Sequence, residues 1–298
     1  YCSGLAWTTT ADTGPGNYNR KEEEKEENRI KEMCQGPEGE YECLICNGEG
    51  IRLGYDMCVA SEFAQEVTIK EAINIANADV DYIQLLDQNL GGAAYQCYDE
   101  SHGHPGAPGP WQAKEMNKLL SKVQNAFNKE GKEVILGCEA ASAESYIENL
   151  PVNDLRFQIG YNMGKPVPLY NYVYHQYVVN FMGNQVEALE FLDKEKSPEN
   201  HYLRYAYSFI AGDLLTVVLA DKGEIHWSWC TKWDIEKPEQ EPMIRFIEHL
   251  NTCRKTIARD FLVTGKMLKP WNIISQEYTC LLYTSDAADD SLRVDLGG

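Results

Sequence analysis

The sequence predicts an α/β protein of the (β/α)8 TIM-barrel class, truncated at its N-terminus so that about six strands are present. Three observations predict it. Apolar runs alternate with amphipathic helical patterns from residue 68 onward. The strand-like runs are apolar throughout, as in a parallel sheet covered on both faces. Each covered run also stops at a polar residue that opens a loop, Asp87 after 82–86 and Glu139 after 134–138. A barrel assembles its site from such strand ends. A doubly wound open sheet, the competing architecture, usually carries a G-x-G-x-x-G or P-loop, and the sequence has neither.

The elements follow in order. Residues 5–10 have strand composition, and 13–19 hold turn chemistry in Gly14, Pro15 and Gly16. Residues 21–31 are charge-dense with only Ile30 apolar, which fits a solvated helix or a mobile loop. Residues 34–66 are rich in Gly and Cys and read as a long loop with short strands. Thr68 can cap a helix to about residue 78, with Ile69, Ala72, Ile73 and Ala76 on one face. After the strand 82–86 comes a Gly- and Pro-rich loop, 88–110. A helix over 111–129 repeats apolar residues at helical period: Ala113, Met116, Leu119, Leu120, Val123, Ala126 and Phe127. Gly131 is placed to end it. The strand 134–138, a short helix 143–149 and a run at 156–161 continue the rhythm. Residues 202–220 read as a helix leading into the apolar run 214–219, and 241–260 as an amphipathic helix. The expected organisation is a partial catalytic barrel over 1–262, the start of a C-terminal β unit over 263–279, and a tail over 280–298.

The chain has 298 residues with 27 Lys+Arg against 46 Asp+Glu, a formal charge of −19. Phosphate contacts need a basic face, so this balance excludes a typical nucleic-acid binder and a polybasic membrane anchor. With 43% hydrophobic and 24% charged residues the composition is globular. No stretch reaches the roughly 20 apolar residues of a membrane helix. The chain starts at Tyr1 with no leader pattern, and reads as a piece of a longer protein or a processed form, with the missing strands upstream. Residues 280–290, CLLYTSDAADD, resemble the in-frame translation of a sequencing adapter, so 280–298 are set aside from the fold. Of ten cysteines the one close pair is Cys43 and Cys46. A lone C-x-x-C is a weak zinc signal, and free thiols are the simpler expectation. No compartment follows from this.

Asp87 and Glu139 are the leading chemical pair. Neighbouring strands lie about 4.8 Å apart, close to the roughly 5–5.5 Å between the carboxyl groups of retaining glycosidases. Either carboxylate could instead cap the following helix. His102 and His104 form an H-x-H in a Gly/Pro loop. They are read as substrate contacts or loop-shaping hydrogen bonds, with a metal site beside Asp87 as the alternative. Tyr161, Tyr174 and His175 lie near another strand end, and Trp227 follows His226. Aromatic faces stack on sugar rings while His supplies hydrogen bonds to hydroxyls. Asp213 is either a site residue or a cap. No Ser-His-Asp triad or G-x-S-x-G is legible, and no cofactor or metal is expected.

Several runs together resemble one bacterial family of glycoside-hydrolase-like domains of unknown function. They are 81–89, His102-Gly103-His104-Pro105, Gly137-Cys138-Glu139 with Ala143-Glu144, 167–170 with Tyr174-His175, and 181–184. The resemblance spans residues 1–270. It implies a barrel similar to endo-α-N-acetylgalactosaminidases and related α-glycosidases, with Asp87 as nucleophile and Glu139 as acid/base. The expected function is retaining hydrolysis of glycosidic bonds, with a carbohydrate as partner. The alternatives are a non-catalytic carbohydrate-binding barrel and a metal-dependent hydrolase using His102, His104 and Asp87.

Overall fold

The computed structural model describes residues 6–8, 18–19, 30–40, 55–86, 89–155, 168–181, 198–219, 221–225 and 236–268. The chain divides into two compact units, residues 1–153 and 154–298, whereas the sequence reading carried one domain through residue 262. Each unit is described by itself.

The first unit is built on two parallel strands. Strands β1 (Ala6–Thr8) and β2 (Tyr18–Asn19) pair in parallel, and β3 (Tyr55–Asp56) joins β1 antiparallel. Helix α1 (Glu62–Ala76) leads into β4 (Tyr82–Leu86), and helix α2 (Pro110–Lys129) into β5 (Ile135–Cys138). β4 and β5 pair in parallel, with Ile83 opposite Leu136, Gln84 opposite Gly137 and Leu86 opposite Cys138. The register shifts between Gln84 and Leu86, so Leu85 is the extra residue of a bulge. Ile83, Leu85, Leu86 and Cys138 are fully buried.

α2 forms where its period predicts. Met116, Leu119, Leu120, Val123 and Phe127 all face the core with no exposed surface. Each such side chain contributes about 1.5–3 kcal/mol on burial, an upper bound that takes the unfolded chain as extended. α1 starts earlier than the sequence reading placed it. Its cap is Ser61, whose Oγ accepts from the Ala64 N–H at 3.3 Å, and not Thr68. Thr68 is buried inside the helix and donates to the Ala64 carbonyl at 2.7 Å. The two helices are tied by Lys122, which donates to Gln65 Oε1 at 2.6 Å, while Gln65 Nε2 donates to the Val59 carbonyl at 2.9 Å.

The second unit holds α3 (Leu169–Tyr174), β7 (Val179–Phe181), α4 (Glu199–Ala211), α5 (Gln240–Lys255) and the short α6 (Arg259–Leu262). A short strand, β6 (Val152–Asp154), stands where the two units join in sequence. α4 and α5 pack around Tyr205, Ile225 and Met243, with the Tyr202 and Phe246 rings edge to face at 5.2 Å. The Leu155 N–H reaches the Phe181 carbonyl at 3.0 Å, and the Leu214 N–H reaches that of Asn180 at 2.7 Å.

The molecule is a mixed α/β protein whose described strands form short sheets, and among the described residues no closed barrel is formed. The run 214–219 shows why. Its sequence is apolar enough for a barrel strand, but it makes only single bridges, at Leu214 and Leu219. Val218 and Leu219 keep 50% and 64% of their surface exposed. The expected strand at 156–161 and the tail 280–298 lie outside the described residues. No described helix is long and apolar enough to cross a membrane.

Gly137 is the tightest point of the first unit. A Cβ there would sit 1.9 Å from the Val152 carbonyl oxygen and 2.3 Å from Tyr82 Oη. Tyr82 Oη donates to that same carbonyl at 3.3 Å. Gly137→Ala must therefore displace backbone, not merely a flexible side chain. It is expected to destabilise the protein by about 3 kcal/mol or more, read by urea denaturation. A change below about 1 kcal/mol would contradict this packing.

Candidate functional site

The C-terminal end of the β4–β5 pair is held by backbone. The Glu139 N–H donates to the Leu86 carbonyl at 3.0 Å, which extends the ladder one residue beyond β5. The Gly91 N–H donates to the Glu139 carbonyl at 2.8 Å, and the Ala143 N–H returns to the Gly91 carbonyl at 2.8 Å. Gly91 has φ +67, and a Cβ there would lie 2.8 Å from the Ala141 carbonyl oxygen. Only glycine fits that turn without strain. Ala140, directly after Glu139, also has a positive φ of 61, at a cost of about 1–2 kcal/mol. Beneath this bend, buried Asn153 donates to Ser142 Oγ and to the Leu150 carbonyl, both at 3.1 Å, and accepts from Cys138 Sγ at 3.3 Å. Glu139 itself is 6% exposed. Asp87, Tyr161 and Trp227 lie outside the described residues.

His102 and His104, expected as substrate contacts or loop-shaping hydrogen bonds, both bond within the protein. A backbone ladder brings three thiols to them. The Cys34 N–H donates to the Asp56 carbonyl at 2.8 Å, the Cys58 N–H to that of Glu32 at 3.4 Å, and the Tyr98 N–H to that of Gln35 at 2.9 Å. Segments 32–35, 56–58 and 97–98 are thereby drawn together. Cys97 Sγ lies 3.3 Å from His102 Nδ1, and Cys58 Sγ lies 3.3 Å from His104 Nε2. The other nitrogen of each ring meets a backbone carbonyl: His102 Nε2 with Lys31 at 2.7 Å, His104 Nδ1 with Pro105 at 2.8 Å. The His104 ring also stacks on Trp111, centroids 3.6 Å apart and 5° from parallel.

Ionisation follows from these contacts. Hydrogen bonds from Cys34 and Cys58 hold the Cys97 thiol well below the usual range despite burial. Hydrogen bonding to Cys58 and Cys97, together with burial, pushes Cys34 up. Burial alone would lower His102, but the Cys58 and Cys97 sulfurs and the Lys31 carbonyl raise it to about 11. The sequence reading named both histidines and passed over all three cysteines. They are far apart in the chain, and only the fold assembles them.

In the second unit Tyr174 ends α3 and His175 follows it. His175 packs on the Gly212 backbone and lines a cavity of about 330 Å³ with Asp260 and Phe261. Burial, then the nearby Arg254, lowers its pKa. Asp213, left open between site residue and cap, sits in a buried polar cluster. Its Oδ1 accepts from Asn171 Nδ2 at 2.7 Å, and Arg254 donates to its backbone carbonyl at 3.1 Å. Fully buried Arg204 bonds Ser208 Oγ. Burial raises the Asp213 carboxyl to about 6, against the opposing pull of Arg204, Asn171 and Arg254. Burial likewise lowers Arg204 to about 10, partly offset by Asp213 and Asp154.

Residues 12–184 match the sequence pattern of a family described as a domain of unknown function, DUF6259. The chain belongs to that family. A comparison with curated proteins finds no match. Among solved structures, an α-galactosidase from Thermus thermophilus, TtGalA, in complex with stachyose, is similar with a TM-score of 0.44 and 13% identity. The likeness covers 71% of this chain and 46% of that one. The narrower likeness to endo-α-N-acetylgalactosaminidases finds no support in these matches.

The Asp213 shift carries a pH signature for this family member. A carboxyl raised in the folded state costs no stability below its unfolded pKa. The cost sets in as pH rises from about 4 and is complete above about 6. Asp213→Asn removes that cost. The stability of the variant relative to the parent is expected to rise by roughly 3 kcal/mol between pH 4 and pH 7, measured by chemical denaturation at each pH. Parallel pH profiles for the two proteins would contradict it.

Proposed function

We propose that this chain belongs to a retaining glycoside hydrolase, with Asp87 as nucleophile and Glu139 as acid/base. The observation that carries the reading is the β4–β5 ladder. Leu86 and Cys138 are register partners, and the Glu139 N–H bonds the Leu86 carbonyl. Asp87 and Glu139 are the residues that follow Leu86 and Cys138 in sequence. Neighbouring strands run about 4.8 Å apart and a retaining mechanism needs carboxyl groups about 5–5.5 Å apart, which is the ground for proposing this pair. The bulge at Leu85 and the bend at Ala140 flank this strand end, as bulges and strained residues often flank active sites.

In the first step Glu139 protonates the leaving glycosidic oxygen while the Asp87 carboxylate attacks the anomeric carbon. In the second, Glu139 takes a proton from water, which releases the sugar with its configuration retained. Tyr161, Tyr174, His175 and Trp227 belong to the second unit and are carried only as proposed sugar-binding side chains of that unit. His102 and His104 are not, because both nitrogens of each ring are engaged within the protein. A metal-dependent hydrolase built on His102, His104 and Asp87 is the weaker reading, since among the described residues the ligand side chains that meet the two rings are the Cys58 and Cys97 thiols.

The test is turnover of aryl α-galactosides, α-N-acetylgalactosaminides and other aryl glycosides by the protein and two variants. Asp87→Asn and Glu139→Gln are each expected to lower kcat/KM by about 10²–10⁴-fold, with melting temperature kept. Azide should rescue Asp87→Ala through a glycosyl azide. Full activity in both variants, or a product of inverted configuration, would overturn the assignment. Sugar binding without turnover by the parent would favour the non-catalytic barrel.

A further inference from the structure

Four side chains of the first unit offer one ligand atom each within a small volume: Cys58, Cys97, His102 and His104. Their ligand atoms all lie within 4.8 Å of one another. We propose that they form a structural zinc site, with Cys58 Sγ, Cys97 Sγ, His102 Nδ1 and His104 Nε2 as the four ligands.

Geometry supports it. Zinc–sulfur bonds of about 2.3 Å and zinc–nitrogen bonds of about 2.0–2.1 Å at tetrahedral angles put S and N about 3.5 Å apart. The two hydrogen-bonded sulfur–nitrogen pairs, Cys58 with His104 and Cys97 with His102, stand at 3.3 Å. Closing on an ion draws in the remaining pairs from within 4.8 Å.

The second observation is tautomeric. A carbonyl oxygen can only accept, so His102 carries its proton on Nε2, toward Lys31, and His104 carries its own on Nδ1, toward Pro105. Each ring then turns its other nitrogen toward a sulfur, and that nitrogen is the one that would give its lone pair to an ion. Metal-binding histidines are ordinarily oriented in this way, with the remote N–H donated to a carbonyl. Two histidines in one loop using opposite nitrogens, each with the correct remote partner, is what convergence on one point requires.

The third observation is charge. The cluster is buried: Cys58 and Cys97 have no exposed surface, His104 has 7%, and the His102 side chain has 4%. A dication with two thiolates and two neutral imidazoles sums to zero, which removes the penalty of burying a net charge. Binding displaces the protons held by the thiols and imidazoles to solvent, and no oxidant or reductant is involved. Thiolate and imidazole ligands in a closed set of four match zinc in a structural role. Cys34 hydrogen-bonds Cys58 and Cys97 and stands outside the set as a supporting thiol.

The ligands would join Cys58 to the stretch Cys97–His104, and a third stretch, Lys31–Gln35, supports them through the Lys31 carbonyl on His102. None of these forms a long element, and Cys97–His104 belongs to the loop after β4. Zinc here is a fastener for that loop.

The experiment uses the full chain, purified under reducing conditions without chelator, loaded with zinc and desalted. Elemental analysis is expected to find about one zinc per chain, and X-ray absorption to find two sulfur and two nitrogen scatterers. Cobalt(II) should give the intense visible bands of a tetrahedral site with thiolate charge transfer. Cys97→Ser and His102→Ala should lose the bound zinc, while Cys34→Ser and Cys253→Ser keep it. Because a ligand variant can misfold, the parent spectrum decides independently. Absence of stoichiometric zinc with all thiols reduced, an octahedral cobalt spectrum, or a disulfide between Cys58 and Cys97 in the isolated protein would each overturn the site.

Discussion

A 3.0 Å hydrogen bond from the Glu139 N–H to the Leu86 carbonyl closes the β4–β5 ladder, and the first unit is arranged around that ladder. Parallel strands cannot be joined by a tight turn, so a long crossover must link them. Here the crossover consists of the loop after β4 and helix α2. The buried face of α2 covers Ile83, Leu85 and Leu86 in one core. Because the strands run the same way, both loops that follow them leave from one end. Gly91 exploits this: its N–H and carbonyl bond Glu139 and Ala143, stitching the loop after β4 to the loop after β5. The close approach at Gly137 fixes the other side of β5. The chemistry proposed for Asp87 and Glu139 rests on this ladder, in which Leu86 is register partner of Cys138 and accepts from the Glu139 N–H.

What the sequence discloses depends on how local the physical cause is. β4, β5 and α2 are legible because continuous apolar runs and a sustained helical period are local patterns. The start of α1 is misread because Thr68 has the chemistry of a cap, and only the contact of Ser61 with the Ala64 N–H and with Glu32 decides between them. Phe63, Ala64 and Val67 already carry the helical spacing ahead of Thr68, a signal overlooked beside the Cys- and Gly-rich stretch before it. The run 214–219 is misread in the opposite sense. Apolar composition suits a barrel strand, but a strand also needs a partner along its length, and Leu214 finds only one bridge, to Phe181.

The thiol–imidazole cluster is the least legible feature. Reading cysteines by spacing favours near neighbours, which drew attention to Cys43 and Cys46, both outside the described residues. Cys34, Cys58 and Cys97 have no such spacing. They meet because main-chain hydrogen bonds at Cys34, Cys58 and Tyr98 place three loop segments edge to edge. The H-x-H of the same loop was visible, but its neighbours in space were not. Asp213 was visible as a site residue or a cap, but its buried setting with Arg204 was not, because Asn171 of α3 and Arg254 of α5 had to close on the end of α4 before either charge had an environment.

The loop after β4 is fastened near both of its ends, and the two fastenings are physically independent. Near its start, Gly91 holds it to Glu139 and Ala143 through backbone hydrogen bonds that need no side chain. Farther along, the Cys97, His102 and His104 side chains hold it to Cys58 and to the Lys31 carbonyl. Loss of metal would leave thiols and imidazoles buried at close range, but it would not break the ladder that seats Glu139. Loss of the carboxylates would not disturb the thiols. A loop tied only at its start would be free to swing over the strand ends, whereas one tied at both points is held in shape before any substrate arrives. Preorganisation of that kind lowers the ordering cost of binding, and it gives a structural metal in this position a functional consequence without any ligand atom touching the reacting groups.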